Sequence, residues 1–320
     1  MKTNYKIIDL FCGAGGFSEG FRQTGFYKVV LAIDCFKPAA LTYKLNFPEA
    51  DVLVEDIKNI DDRILRNYID SIDVVIGSPP CEPFTATNPR RERNPLDRLY
   101  KDPIGQLTLH FIRIVGLLKP RVFIMENVPA ILENGLKQAL TREFRRIGYE
   151  NIYFNILNAE DYGNPSRRRR VFISNIRIKP PFKERVVVWD ALKDLPEPGS
   201  YPPNHEPPPQ ITIRKLKRLA GLKWGDSLVK FRGADGEYPN LIKLHPYRCS
   251  PTVMGSSRFI HPFENRLLTV REQARLMSFP DTFVFIGGRD EQYNMVGEAV
   301  PVALSRSIAK FLLEVLSSGV

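Results

Sequence analysis

Lys6–Phe17 reads KIIDLFCGAGGF. Lys6–Phe11 is apolar and β-rich enough to predict a strand, and the glycines at 13, 15 and 16 predict a turn. A helix then follows to about Gly25, whose lack of a side chain suits a C-cap. Outward from this unit the first half of the chain repeats the alternation. Further strands are predicted at Val29–Ile33, Val52–Val54, Val74–Ile76, Val122–Met125, Tyr153–Leu157 and Val171–Ile176. Helical spacing occupies Ala39–Asn46, Ile60–Tyr68, Gln106–Leu118 and Leu136–Ile147. Strand and helix in turn predict an α/β fold, a doubly wound sheet with ligands at the carboxyl ends of its strands.

The character changes after about residue 180. Glu197–Gln210 (EPGSYPPNHEPPPQ) is too rich in proline for a helix or a central strand. Arg214–Lys223 and the stretch through Arg258 are basic and irregular. The expected organisation is a large lobe over residues 1–184, a smaller irregular lobe over 185–290, and a segment, 291–320, that returns to the large lobe. A helix at about Pro301–Leu316 has the apolar spacing for that return.

A chain of 320 residues buries one large core with room for a smaller appended domain. Lys and Arg number 46 against 36 Asp and Glu, a net +10 with a pI near 9.4. That balance suits a polyanionic partner, though it also serves solubility alone. Cys12, Cys35, Cys81 and Cys249 lie far apart with no C-x-x-C pair, which supports neither zinc ligation nor a disulfide framework. No apolar run precedes Asp9 to act as a signal, and none approaches a membrane span. An intracellular, soluble, metal-free protein is expected.

Glycines directly after the first strand let backbone approach a ligand, with helix amides beyond to meet a polar group. The loop has no G-x-x-x-x-G-K-[ST] lysine, which argues against an ATPase or GTPase. Asp34 follows the second strand and Asp56 the third. An acid after strand two holds ribose hydroxyls in many nucleotide sites, although each acid alone also reads as a turn residue or helix cap. After the fourth strand comes Gly77-Ser-Pro-Pro-Cys81-Glu-Pro-Phe-Thr85, whose prolines stiffen the turn holding one thiol. A lone cysteine is ordinarily a small buried hydrophobe. The next strand ends Met125-Glu126-Asn127-Val128-Pro129, placing a carboxylate where it can serve the thiol's chemistry. Pro165-Ser-Arg-Arg-Arg-Arg170 leads into the last strand of this half.

With these pieces in this order, the sequence resembles the cytosine-C5 DNA methyltransferase family, over nearly the whole chain apart from the middle of the small lobe. The motifs are D-L-F-C-G-A-G-G, G-S-P-P-C, D-P-I-G-Q-L at 102–107, E-N-V, R-R-R-R-V-F, R-L-L-T-V-R-E-Q-A-R-L-M-S-F-P at 266–280 and G-E-A-V-P at 297–301. The resemblance implies an S-adenosylmethionine (AdoMet) pocket formed by Phe11, Gly13, Gly15, Asp34, Cys35, Phe36, Asp56, Ile57, Leu107, Glu298 and Val300, with S-adenosylhomocysteine as product. Asp34 would take the ribose and Asp56 would lie near the adenine. It implies that Cys81 attacks C6 of cytosine, that Glu126 engages N3 and the exocyclic amine, and that Arg168 and Arg170 support the base pocket. Duplex DNA is the implied partner, the enzyme a monomer acting in the prokaryotic cytoplasm beside a cognate restriction endonuclease. A base inside a duplex must be flipped out to reach a thiol. Residues 82–104, with Arg90, Arg91, Arg93 and Arg98, then read as a mobile lid that contacts nucleic acid.

Three residues depart from the family pattern: Glu82 and Ser166 stand where Gln is usual, and Glu298 where Asn is usual. An ionised Glu82 beside the thiol would raise its pKa and repel phosphate. A tRNA substrate, transfer to N4 of cytosine, and a silent nucleic-acid-binding relative are the alternatives. Labelled product, and the effect of Cys81→Ala, separate them.

Overall fold

The computed structural model describes residues 4–210, 212–233 and 236–318. The first half runs β1 (Tyr5–Leu10), α1 (Gly16–Arg22), β2 (Tyr27–Asp34), α2 (Lys37–Asn46), β3 (Asp51–Val54), α3 (Asp62–Arg66), β4 (Val74–Gly77), α4 (Pro95–Tyr100), α5 (Leu107–Leu118), β5 (Val122–Asn127), α6 (Leu136–Arg146), β6 (Tyr153–Asn158) and β7 (Arg169–Ser174). These seven strands form one sheet in the order β3-β2-β1-β4-β5-β7-β6. All neighbours are parallel except β7, which runs against both β5 and β6. The order reverses beside β1, because the chain lays β2 and β3 on one side and β4 onward on the other. The crevice of a doubly wound sheet opens at that reversal.

Buried runs on both faces explain why the sheet is central. Every residue of β4 and β5 is buried. One face packs Phe17, Phe21, Tyr43, Ile308 and Leu312, and the other Ile112, Val115, Leu140 and Phe144. The expected helix over Ile60–Tyr68 contracts to α3. Asp61 accepts the Arg63 amide at 2.8 Å and starts the helix there, and the chain leaves it in tight turns after Arg66. Within the segment expected to be a lid, Asn94 caps α4 and Pro95 opens it, a stop and start the polar composition concealed.

Beyond the sheet come α7 (Val188–Leu192), α8 (Ile213–Leu219), β8 (Ser227–Gly233), β9 (Gly236–Lys243), β10 (Phe259–Ile260), α9 (Val270–Arg275), α10 (Arg289–Glu298) and α11 (Val302–Ser317). The region expected to be irregular contains a three-stranded sheet, β8 and β9 antiparallel and β10 parallel to β9. Its own core is small: Leu219, Leu228, Ile260 and Leu267. Val270, Met277, Phe279 and Phe283, which fall within the expected small lobe, pack instead in the core of the large one.

The chain returns through α11, which lies against α1. A Cβ at Gly20 would run into Ser305 and the Arg306 amide, so only glycine allows this approach. Tyr27 donates its hydroxyl to the Ala309 carbonyl at 2.8 Å. Among the described residues no helix is long and apolar enough to cross a membrane.

Candidate active site

Two loops meet where the strand order reverses, one after β1 and one after β4. The second begins at Gly77, where any Cβ would strike the Leu10 carbonyl and the Phe111 ring, so the end of β4 is pressed against β1 and α5. Asn127 at the end of β5 donates to the Pro79 carbonyl at 3.1 Å and accepts the Val128 amide at 2.9 Å. It is 1% exposed and ties the two strand ends together below the thiol. The Cys81 carbonyl accepts the Phe84 and Thr85 amides, and Phe84 is wholly buried. Cys81 itself is half-buried. Burial pushes its thiol up to about 11, against the pull of Arg170 and Arg168, with Glu126 and Glu82 adding to the rise.

β7 pairs antiparallel with β5, Glu126 opposite Phe172, so the basic run before β7 arrives beside Glu126. Arg170 Nε lies 3.0 Å from Glu126 Oε1. That oxygen is buried and, apart from this ion pair, receives no hydrogen bond of good geometry, which leaves acceptor capacity unused. Arg168 is buried differently. Its Nη1 donates to the carbonyls of Val253 at 3.1 Å and Gly297 at 2.9 Å, and Nη2 to that of Glu298 at 3.3 Å. A guanidinium at the carboxyl end of α10 satisfies the carbonyls left over there and joins the sheet to the returning segment. Burial and the nearby Arg170 push its pKa below the usual arginine range.

On the β1 side, Gly13 donates its amide to Asp34 Oδ2 at 2.8 Å, and Phe36 donates to Asp34 Oδ1 at 2.8 Å. Burial raises the pKa of Asp34 against these two amides. Gly13 has φ +53° and nothing within 4 Å of where a Cβ would stand, so its backbone faces open space. Gly15, at φ +101°, sits on the Phe47 and Tyr43 rings, and Gly16 lies under the Val300 carbonyl. Phe11 is half-buried, Ile57 and Val300 are buried, Cys35 and Phe36 are exposed, and Leu107 begins α5. Asp56 is bonded by the Lys58 amide at 3.0 Å and paired with its ammonium at 3.2 Å. These contacts hold the carboxyl below its ordinary pKa although burial opposes them. Glu298 is raised by burial, then by Glu82 and Asp34.

This cradle fits a nucleoside-bearing cofactor. It offers open backbone at Gly13, a carboxylate at the end of β2, and exposed Phe36 and Val54 beside that carboxylate. Among the described residues no group of three His, Cys, Asp or Glu is placed to hold a metal ion.

The lid arginines separate. Arg90 and Arg93 are exposed, while Arg91 donates to the Phe84 carbonyl at 3.2 Å. Arg98 is 5% exposed and donates to the Glu92 carbonyl at 2.7 Å, so it anchors the segment instead of presenting itself to a polyanion. Ser166 is wholly buried, accepts from Asn164 at 2.8 Å and donates toward the Met277 sulfur at 3.7 Å. Asn127 was not among the expected site residues; its place in E-N-V was the available signal.

A family model described as C-5 cytosine-specific DNA methylase matches residues 5–314. "Putative type II methyltransferase M.MJ0563P" of Methanocaldococcus jannaschii is 51% identical over 311 residues, 95% of this chain and 97% of the relative. Type II methyltransferase M.DdeI of Desulfomicrobium norvegicum is 32% identical over 372 residues, 95% of this chain and 87% of the relative. The solved structure of Entamoeba histolytica methyltransferase EhMeth superposes with a TM-score of 0.72 over 98% of this chain and 99% of that one, at 17% identity, a likeness of fold.

Proposed function

The chain belongs to the C-5 cytosine-specific DNA methylase family, and from that premise we propose how its residues act. It is a DNA (cytosine-5-)-methyltransferase. The observation that carries the assignment of roles is the meeting of Cys81, the Glu126–Arg170 pair and the Asp34 cradle at one reversal of the sheet.

C5 of cytosine is a poor nucleophile until a thiolate adds at C6 and moves electron density toward C5. Cys81 makes that addition, losing its proton as the C–S bond forms. The thiol of the free protein is held protonated by burial although Arg170 and Arg168 already draw it down, so its proton leaves as the base is attacked. Glu126 receives the exocyclic amine at Oε1 and, as the acid, stabilises the charge developing at N3. Arg170 orients that carboxyl. Arg168 acts as a strut, through the carbonyls it joins.

AdoMet, when bound, supplies an electrophilic methyl group on its sulfonium. Asp34 takes its ribose hydroxyls, Gly13 and Gly15 give its backbone passage, Phe11, Cys35, Phe36, Ile57, Leu107 and Val300 enclose it, and Asp56 meets the adenine. Glu298 lies at its methionine end. Arg90 and Arg93 meet the phosphates of duplex DNA, and the small lobe reads the target sequence. The relatives named type II methyltransferases support a cognate restriction endonuclease as cellular partner.

The test is methyl-labelled AdoMet with unmethylated duplex DNA, digested to nucleosides. Label in 5-methylcytosine is expected and must vanish in Cys81→Ala. Label in N4-methylcytosine would remove the role of Cys81, and label only in tRNA would replace the substrate.

A further inference from the structure

Behind the glycine loop lies a buried polar chain that the reaction does not use. Asp9, in β1, is 1% exposed. Its Oδ2 accepts the Ser18 hydroxyl at 2.6 Å, and Ser18 Oγ in turn accepts the Tyr43 hydroxyl at 2.7 Å. Ser18 stands in the first turn of α1 and is wholly buried, as is Tyr43 in α2. The chain therefore fastens the strand before the loop to the helix after it and to the helix beneath it. The same Tyr43 ring packs against Phe47 at a tilt of 30°, with centroids 4.4 Å apart, and these two rings are the floor of the turn. A Cβ at Gly15 would stand 2.6 Å from Phe47 and 3.0 Å from Tyr43. From above, Asp34 holds Gly13. The loop is thus clamped between a carboxylate on its ligand side and a carboxylate on its buried side.

We infer that Asp9 is a positioning residue for the cofactor, setting the pitch of the glycine loop through Ser18 and Tyr43. This rests on the AdoMet reading of the Asp34 cradle. The chain touches neither the thiol nor Glu126, so it governs cofactor affinity and leaves the transfer step at saturation unchanged.

Its charge state gives the inference a signature. Burial raises the Asp9 carboxyl to about 7, against the Ser18 hydrogen bond, with Asp34 adding to the rise and Tyr43 opposing it. The other titratable groups facing it are Cys12 and Tyr43, both pushed well above their usual values, and Asp34, also raised by burial. Below about 7 Asp9 is neutral; above it, a second negative charge stands behind the loop and repels Asp34. Cofactor affinity then falls as pH rises through that value.

The experiment is calorimetric binding of S-adenosylhomocysteine to the full chain, with thermal unfolding as a check that each variant folds. Wild-type protein that binds none would refute the cofactor reading itself. Given wild-type binding, Ser18→Ala and Tyr43→Phe are expected to weaken it by roughly tenfold, the scale of one lost buried hydrogen bond. Asp9→Asn keeps an acceptor for Ser18 and is expected to stay within about threefold of wild type below pH 7. It should also lose the wild-type fall in affinity above pH 7. The KM for AdoMet should rise in Ser18→Ala with kcat kept. Unchanged affinity in both hydroxyl variants, or an undiminished pH dependence in Asp9→Asn, would overturn the inference.

Discussion

The large sheet and the small one are built on different scales. The large lobe has a seven-stranded sheet with an apolar cluster on each face, and every reactive group hangs from the end of one of its strands. The small sheet has a cluster of only four buried apolar side chains beside it, with Ile242 and Phe259 packed into the large core instead, and its hairpin carries Lys230 and Arg232 outward. Where the hairpin closes at Gly233 it comes to rest near Thr87 of the lid. Chemistry that tolerates little displacement is placed on the stiff element. Contacts that differ from one target sequence to another belong on the element with the least core to disturb.

Substitutions on either side test that division, and the largest effect belongs to the nucleophile. Cys81→Ala is expected to lower methyl transfer by at least about a thousandfold, with S-adenosylhomocysteine binding and the unfolding midpoint close to wild type. Transfer that survived would show that the stiff lobe carries a different chemistry. Leu228→Ala is the counterpart. Removing one of four core side chains costs about 2–5 kcal/mol locally, more than so small a cluster can absorb. Binding of duplex DNA should fall sharply while cofactor binding stays. If both fell together, the lobes would be one cooperative unit and the comparison would fail.

A smaller effect probes the electrostatics of the stiff side. Because burial holds the Cys81 thiol near 11, its alkylation by iodoacetamide should be slow at neutral pH and quicken about tenfold per pH unit toward that value. Arg170 is the main group drawing the thiol down, so Arg170→Gln should slow alkylation at fixed pH by several-fold to about tenfold. Peptide mapping separates Cys81 from Cys35, which is exposed. A faster rate in Arg170→Gln would mean that Arg170 shields the thiol more than it charges it.

Legibility in the sequence follows the same division. The strands of the large lobe read clearly because both faces are buried, which leaves unbroken apolar runs such as Val74–Ile76 and Val122–Met125. The small sheet was missed because β8 lacks a clean alternation: Leu228 is buried while Lys230 and Arg232, on the same face of the strand, are exposed, so Ser227–Gly233 looks like part of a charged loop. The thiol, the carboxylate and the arginine run were visible as residues. What no motif conveys is where a side chain's hydrogen bonds end. Arg90, Arg93 and Arg98 are alike in sequence, yet Arg98 is withdrawn to backbone carbonyls. Arg168 and Arg170 differ by two positions, and one is a strut while the other meets Glu126.

The smallest effect concerns the seam between the stiff loop and the lid. Glu82 is the residue at which the fixed backbone after β4 becomes exposed. Its carbonyl accepts the Asn88 side chain at 3.0 Å, a contact that does not depend on the carboxylate and survives Glu82→Gln. The charge itself raises the pKa of both Cys81 and Glu298. Standing in solvent, it is screened by salt, so removing it should matter little to either. Glu82→Gln is therefore expected to change kcat by no more than about threefold, the change shrinking further as salt is added. A gain above tenfold that persisted in high salt would place the carboxylate out of solvent's reach in the complex. The lid would then close over Cys81 as a dry part of the site, and the boundary between stiff and compliant regions would lie beyond Glu82.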